Sequence, residues 1–447
     1  MFNNSLKLIP VFTLFCGGIW AQSPHFQFVG LSGERITAIA VHPDNDSILY
    51  VGSMSDYSAG IYGSLFKSTN AGATWDTLLY PVTVHDIAIN YQDPETIYVG
   101  LGGANFTMPG ILKTTDGGAT WTRADSGVYV DWETDVQDVE LHPTSPEILY
   151  AGTAGIFPGH LYRSNNGGNS WARVPYGPEI EEGPIEITIN ILNPQEVFIG
   201  ENGTGEIYRT SDAGSTWVAL NTPWGDGYGL PVTITLCPEQ PNIIYAGVYQ
   251  YGLMKTEDGG FSWIHQDSGI DSNATAIRTI VIDQSNSKHL YAGLNAYGVF
   301  ETSDGGEQWN TINAGLANQW VRSLALTGQT LYAGTYDGLY GRVITTSVEE
   351  PNNLPQRFFL GSNYPNPFNS QTTIPYHVAQ GAQVSLTIYN LQGQIIKHLV
   401  KKHHTSGKYE VHWDGTNDKG ISVSSGLYFY RLSSPKFKTT RSLVYLK

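Results

Sequence analysis

Short runs in which apolar and polar side chains take turns recur along the chain, among them ITAIAV (Ile36–Val41), VQDVEL (Val136–Leu141) and IRTIVI (Ile277–Ile282). Period-two alternation places one set of side chains on each face of a strand. Clusters of Gly, Asp, Asn, Ser and Pro separate the runs and mark turns. A second, more apolar run recurs as ILYVG, TIYVG, ILYAG, EVFIG, IIYAG, HLYAG and TLYAG, ending at Gly52, Gly100, Gly152, Gly200, Gly247, Gly293 and Gly334. A third, of the LFKS or LYRS type, leads into a box that opens as KSTNAGATW (Lys67–Trp75) and returns as KTTDGGATW, RSNNGGNSW, RTSDAGSTW, KTEDGGFSW and ETSDGGEQW. A fourth strand starts at the Trp of each box. Nothing in the pattern calls for a long helix.

The box tryptophans fall at Trp75, Trp121, Trp171, Trp217, Trp263 and Trp309, a spacing of 46 residues broken once by 50. Four strands in a period of that length is the signature of a propeller blade, a unit that buries its faces only by stacking against neighbours around an axis. The first two strand types occur seven times and the box six times. The seventh repeat lacks its fourth strand, and HFQFVGL (His25–Leu31) resembles the segment that follows each Trp. The expectation is a seven-bladed all-β propeller over residues 24–344, closed by this N-terminal strand, which removes a sheet edge.

Each box carries Asn70, Asp116, Asn166, Asp212, Asp258 or Asp304, followed two residues later by Gly72, Gly118, Gly168, Gly214, Gly260 or Gly306. An Asx side chain accepts backbone N–H bonds and holds a turn, and Gly takes the positive φ that other residues resist. Asn stands in for Asp twice. A turn needing an acceptor tolerates that exchange, whereas a general acid or base does not. The boxes are therefore expected to be scaffold.

Composition and charge sharpen the picture. Of 447 residues, 50 are Gly, 27 Tyr and 11 Trp, as suits a turn-rich, aromatic-packed β protein. The net charge of −16 is unevenly spread: from Gln356 onward 11 Lys and Arg oppose 3 Asp and Glu, which leaves the preceding part strongly acidic. An acidic body argues against nucleic acid as a partner. The charge change marks a boundary, with a polar linker at 345–356 and a small β-sandwich at 357–447. MFNNSLKLIPVFTLFCGGIWA reads as a signal peptide over 1–21, with no membrane-spanning run after it. Once it is removed Cys237 has no partner for a disulfide. No P-loop, dinucleotide fingerprint, HExxH or CxxC occurs, and no cofactor or metal site is assigned.

Candidate chemistry lies away from the boxes. Counting 14 residues back from each strand-ending Gly reaches Ala38, Asp86, Asp138, Glu186, Thr233 and Thr279, with Ser323 at the matching place in the shorter seventh repeat. Repeats two to four thus place Asp86, Asp138 and Glu186 near a channel mouth, with His85 beside them. Arg278 and Arg322 sit one residue earlier in repeats six and seven, and Arg35 opens the inner strand of the first. Trp132, Trp224 and Trp320 lie in loops on the same face. The acids are candidates for acid and base on a glycan, and the arginines for holding a carboxylate. The alternative is that they bond neighbouring blades and channel water.

Residues 24–344 resemble the Asp-box (bacterial neuraminidase repeat) propellers on the strength of the six boxes. That group includes sialidases, xyloglucanase-type glycosidases, the sortilin ectodomain and a photosystem II assembly factor. The resemblance implies the fold and leaves function open, because those proteins do unrelated things. The chain departs from sialidases: their Arg-Ile-Pro appears as Arg35-Ile36-Thr37, no Tyr–Glu nucleophile pair is found, and seven blades replace six. Xyloglucanase-type enzymes use two tandem propellers and one is expected here. Residues 357–447 resemble the type A sorting domain of the type IX secretion system through Asn363-Tyr364-Pro365-Asn366-Pro367-Phe368-Asn369, Trp413-Asp414-Gly415, Ser425-Gly426-Leu427-Tyr428 and the terminal Lys447. This implies an Ig-like β-sandwich that contacts the secretion machinery. The expected protein is secreted or held at the bacterial surface and binds a glycan or protein ligand without catalysis. A glycoside hydrolase acting on an extracellular polysaccharide is the alternative.

Overall fold

The computed structural model describes residues 25–56, 60–103, 109–131, 134–155, 159–177, 183–224, 229–344, 359–360, 363, 368–378, 381–405, 407–434 and 437–446. The segment read as a signal peptide and the linker at 345–356 lie outside them. The chain separates into two compact units, Met1–Thr345 and Thr346–Lys447.

The described residues of the first unit form seven four-stranded antiparallel sheets. Sheets one to six each run in chain order; the first is Arg35–Val41, Leu49–Met54, Leu65–Ser68 and Asp76–Leu79. The inner strands of the second to seventh sheets are Thr83–Ile89, Thr134–Leu141, Pro184–Ile189, Leu230–Leu236, Ile277–Ile282 and Val321–Leu326. Each inner strand lies beside the next, and that of the seventh returns to that of the first. The seventh sheet takes its outer strand from Gln27–Gly30, which pairs antiparallel with Gly338–Val343. Phe26, next to it, is buried against Tyr291, Val299 and Leu316. The arrangement of repeated sheets around an axis is consistent with a β-propeller.

The core lies between sheets. Ala38, Tyr50 and Leu65 of the first pack on Val84, Ile87, Ile97 and Val99 of the second, and Ile36, Leu49 and Val51 pack on Ala325, Tyr332 and Leu339 of the seventh. The repeated glycines of the second strands are set by this stacking. A Cβ on Gly52 would come within 2.4 Å of a Val84 methyl, and one on Gly200 within 2.5 Å of the Pro231 carbonyl oxygen. Either contact would push two sheets apart.

The six boxes are turns held by their own side chains. In the second, the Thr114 hydroxyl donates to Asp116 Oδ1 at 2.7 Å and accepts from the Gly118 N–H at 3.0 Å. Asp116 also accepts from the Thr120 N–H and hydroxyl at 2.8 and 2.6 Å. These bonds hold the Asp116 carboxyl below its ordinary value, at about 2. At Asn70 the amide reproduces the turn. Its oxygen accepts from the Thr74 N–H at 2.8 Å, and its NH₂ donates to the Thr74 hydroxyl at 2.8 Å, where Asp116 accepts instead. Hydroxyls of Tyr50, Tyr98, Tyr150 and Tyr245 reach from the preceding sheet to carbonyls in the boxes at Gly117, Gly167, Ala213 and Gly305. Each of these four turns therefore locks one sheet to its neighbour.

The second unit has a three-stranded sheet, Phe359–Leu360, Thr372–Val378 and Gly407–Trp413, and a four-stranded one ordered Ile395–His404, Ala382–Tyr389, Gly426–Ser434 and Phe437–Tyr445. Phe368, Ile374, Leu386, Trp413, Tyr430 and Leu443 share its core, and the Trp413 indole N–H donates to the Thr416 carbonyl at 2.9 Å. No helix among the described residues is long and apolar enough to cross a membrane.

Candidate functional site

Every inner strand of the first unit carries the same irregularity. Ala38, Asp86, Asp138, Glu186, Thr233, Thr279 and Ser323 each pair with the repeated Gly of the neighbouring strand, which runs on past that Gly by one to three residues, and the residue before each is skipped by the ladder. A β-bulge of this kind re-aims a side chain. The skipped residues are Thr37, His85, Gln137, Ile185, Val232, Arg278 and Arg322, and all seven line one cavity of about 550 Å³. One residue from each sheet therefore faces a common channel. Residue counting located the paired position; the bulge turns the residue before it inward.

The acids lie on one arc and work across sheet boundaries. Asp86 Oδ2 accepts the Val139 N–H of the third sheet at 3.1 Å. Asp138 Oδ2 accepts the Ile187 N–H of the fourth at 2.5 Å. Glu186 Oε1 accepts the Ile234 N–H of the fifth at 3.0 Å. Inner strands expose an unpaired edge to the channel, and these carboxyl groups satisfy part of it. Glu140, absent from the residue-counting argument, joins them with the Ile189 N–H against it. Strand alternation puts it on the same face as Asp138, two residues on.

Each acid is half-buried and lines the cavity. Desolvation accordingly raises all four. Glu140 and Glu186 are pushed up to about 8 by burial first, with the Asp86 charge adding to it. Burial also raises Asp86, against the lowering effect of the Val139 N–H and of Asp138 within hydrogen-bond reach. Asp138 is raised well above the ordinary range by burial and then by the charges of Asp86, Glu186 and Glu140. Like charges this close disfavour one another's ionisation, which adds to the rise at Asp138. His85 Nε2 meets Asp135 Oδ2 at 3.1 Å.

The basic arc is built differently. Arg278 stacks on Tyr249 with 5.7 Å to the ring centroid, and with the Asn295 amide turned so that its oxygen faces the guanidinium, two N–H groups reach it at 2.8 and 3.0 Å. Arg322 donates to the Tyr336 hydroxyl at 3.2 Å. Arg35, expected beside them, is ion-paired with Asp56 at 2.5 Å and rests on Tyr336. Trp320 is 44% exposed and stacks on Tyr336 with 5.4 Å between centroids and 15° between planes. Trp224, expected to face a ligand, is instead fully buried; its indole N–H donates to the Gly205 carbonyl at 2.8 Å and it packs on Trp263. Apolar burial won over exposure in that loop. Trp132 lies outside the described residues. No group of three or more His, Cys, Asp and Glu among the described residues has metal-holding geometry.

Residues 67–223 match the family model described as Photosynthesis system II assembly factor YCF48, and residues 368–436 match that of the FlgD Ig-like domain. A xyloglucanase of Acetivibrio thermocellus is 24% identical over 242 residues, which is 44% of this chain and 27% of that protein. The photosystem II assembly lipoprotein Ycf48 of Synechococcus sp. is 26% identical over 154 residues, 34% of this chain and 42% of its own. The chain thus spans about a quarter of the length of the xyloglucanase it matches. Among solved structures, the GH74 enzyme of Niastella koreensis superposes with a TM-score of 0.57 at 18% identity, covering 93% of this chain and 73% of that one. PorZ of Porphyromonas gingivalis, a surface component of the type-IX secretion system, gives 0.53 at 17%, covering 96% and 61%. Ycf48 bound to D1 peptide gives 0.54 at 12%, covering 73% and 97%. The likeness is to the fold of the Ycf48 and xyloglucanase type; at these identities it carries no activity with it.

Proposed function

We propose that the protein is a secreted or surface-attached seven-bladed Asp-box propeller that binds a glycan or protein ligand without catalysis, exported by a type IX sorting domain at 357–447. The observation that supports this most is the employment of the acids. Asp86, Asp138 and Glu186 each hold a backbone N–H of the next sheet. Such groups are joints between blades. The likeness to PorZ supports a surface placement and a link to the secretion machinery, and the peptide-bound Ycf48 supports a protein ligand.

The likeness to xyloglucanases favours a second reading, a glycoside hydrolase acting on an extracellular polysaccharide through the same three acids. The two separate on one experiment. The secreted chain is incubated with glycan and peptide arrays, and polysaccharide hydrolysis is measured in parallel for Asp86→Asn, Asp138→Asn and Glu186→Gln. Retention on an array with no hydrolysis supports the binding module. Hydrolysis that each substitution abolishes would replace it. Removal of 357–447 should leave the chain inside the outer membrane; unchanged release would remove the sorting role.

A further inference from the structure

Two guanidinium groups line the channel without a carboxylate. Arg278 and Arg322 occupy the bulge positions of adjacent sheets and border the same cavity. The polar partners of Arg278 are the Asn295 amide and the Tyr249 ring, and that of Arg322 is the Tyr336 hydroxyl. No carboxylate among the described residues pairs with either, while Arg35 nearby is neutralised by Asp56. Arg278 feels its loss of water first and then the like charge of Arg322, both of which lower its affinity for a proton. Two like charges lining one cavity without an acidic partner, one of them drawn away from water, are costly unless something anionic joins them.

The opposite wall is prepared for the same guest. Facing the cavity are His85 and Asp86 from the second sheet, Asp138 and Glu140 from the third and Glu186 from the fourth; the first and fifth present Thr37 and Val232. Glu140 and Glu186, pushed up to about 8, keep their protons near neutrality and offer O–H donors instead of negative charge. The Trp320–Tyr336 stack flanks the Arg322 side and gives the site a reporter.

We propose that the channel is a binding site for an oxyanion group, carboxylate, sulfate or phosphate, held between Arg278 and Arg322. This rests on the binding-module reading and names the chemistry of its ligand. Binding is coupled to protons on the far wall. As pH rises through the range where Glu140 and Glu186 ionise, at about 8, negative charge builds around the cavity and the anion leaves.

The test uses the full secreted chain and tryptophan fluorescence, with sodium sulfate, sodium phosphate, glucuronate and neutral glucose as probes at matched ionic strength. At least one anion should give a saturable signal, and glucose none. Which anion gives it tells an acidic sugar from a sulfate or phosphate ester. Arg278→Gln and Arg322→Gln should each weaken binding about tenfold or more, and Arg322→Lys should keep it within about threefold. The wild type should bind about tenfold more weakly at about pH 9 than at about pH 6.5, and Glu186→Gln should flatten that fall, a readout that does not depend on the arginine variants folding. The same affinity at both pH values, or no anion-dependent signal, overturns the proposal. If a neutral glycan or a protein binds and Arg278→Gln leaves it unchanged, the binding module stands and the oxyanion site does not.

Discussion

Glu140→Gln isolates one of the four acids that line the cavity and carries the clearest energetic consequence. Burial lifts Glu140 from 4.5 to about 8. Between those values the folded protein holds a proton that the unfolded chain has released, so stability is full below about pH 4.5 and declines up to about pH 8. Each pH unit costs about 1.4 kcal/mol per group, which gives a ceiling of about 5 kcal/mol for Glu140 over its window. Glu186 declines over the same window, and Asp86 and Asp138 are shifted in the same direction. Gln mimics the protonated acid and keeps an oxygen for the Ile189 N–H, so the variant loses Glu140's share of the pH dependence and keeps the joint. Urea unfolding of wild type and variant across about pH 5 to 8 measures this. The two should agree within about 1 kcal/mol at about pH 5, and the variant should be about 2–5 kcal/mol more stable at about pH 8. A wild-type stability that is flat over this range, or a variant with the same slope, would refute the reasoning.

Other substitutions probe the scaffold. Asn70→Asp should leave the melting temperature unchanged and Asn70→Ala should lower it, because only Ala loses both bonds to Thr74; an equal fall for both would contradict a turn-holding role. Deleting 25–31 removes the outer strand of the seventh sheet and exposes the edge of Gly338–Val343, so size-exclusion chromatography should show oligomers or loss of the folded species. A stable monomer would mean that this strand does not close the ring. Trp413→Ala empties the centre of the second unit and should cost about 3–5 kcal/mol on unfolding of that unit; a loss below about 1 kcal/mol would show that its core lies elsewhere.

Repetition made much of this legible in the sequence. Seven ILYVG-type runs, six boxes and the likeness of HFQFVGL to the post-Trp segment led to seven four-stranded sheets and an N-terminal outer strand, because a repeated pattern averages out local ambiguity. The Asn for Asp exchange at Asn70 and Asn166 identified the boxes as turns, and the amide geometry at Asn70 shows how the exchange works. The position 14 residues before each Gly fell on the register partner of that Gly in the first six repeats. What periodicity does not carry is a single skipped residue. The bulges that turn His85, Arg278 and Arg322 into the channel leave no mark in the apolar–polar pattern. Glu140 was missed because counting back from the Gly picks one position per strand and passes over the same-face residue two places on. The removal of Arg35 by Asp56 depends on a loop partner 21 residues away, and the burial of Trp224 on tertiary packing. Neither is visible in local sequence.

The central claim is that the channel binds and does not hydrolyse, and titration calorimetry tests both halves at once. The full chain is titrated with an acidic oligosaccharide, an oligogalacturonate, and with a neutral xyloglucan oligosaccharide. The account predicts saturable binding heat for the acidic ligand, lost in Arg278→Gln, and a return to baseline after every injection of either. Sustained heat of hydrolysis that disappears in Asp86→Asn would contradict it.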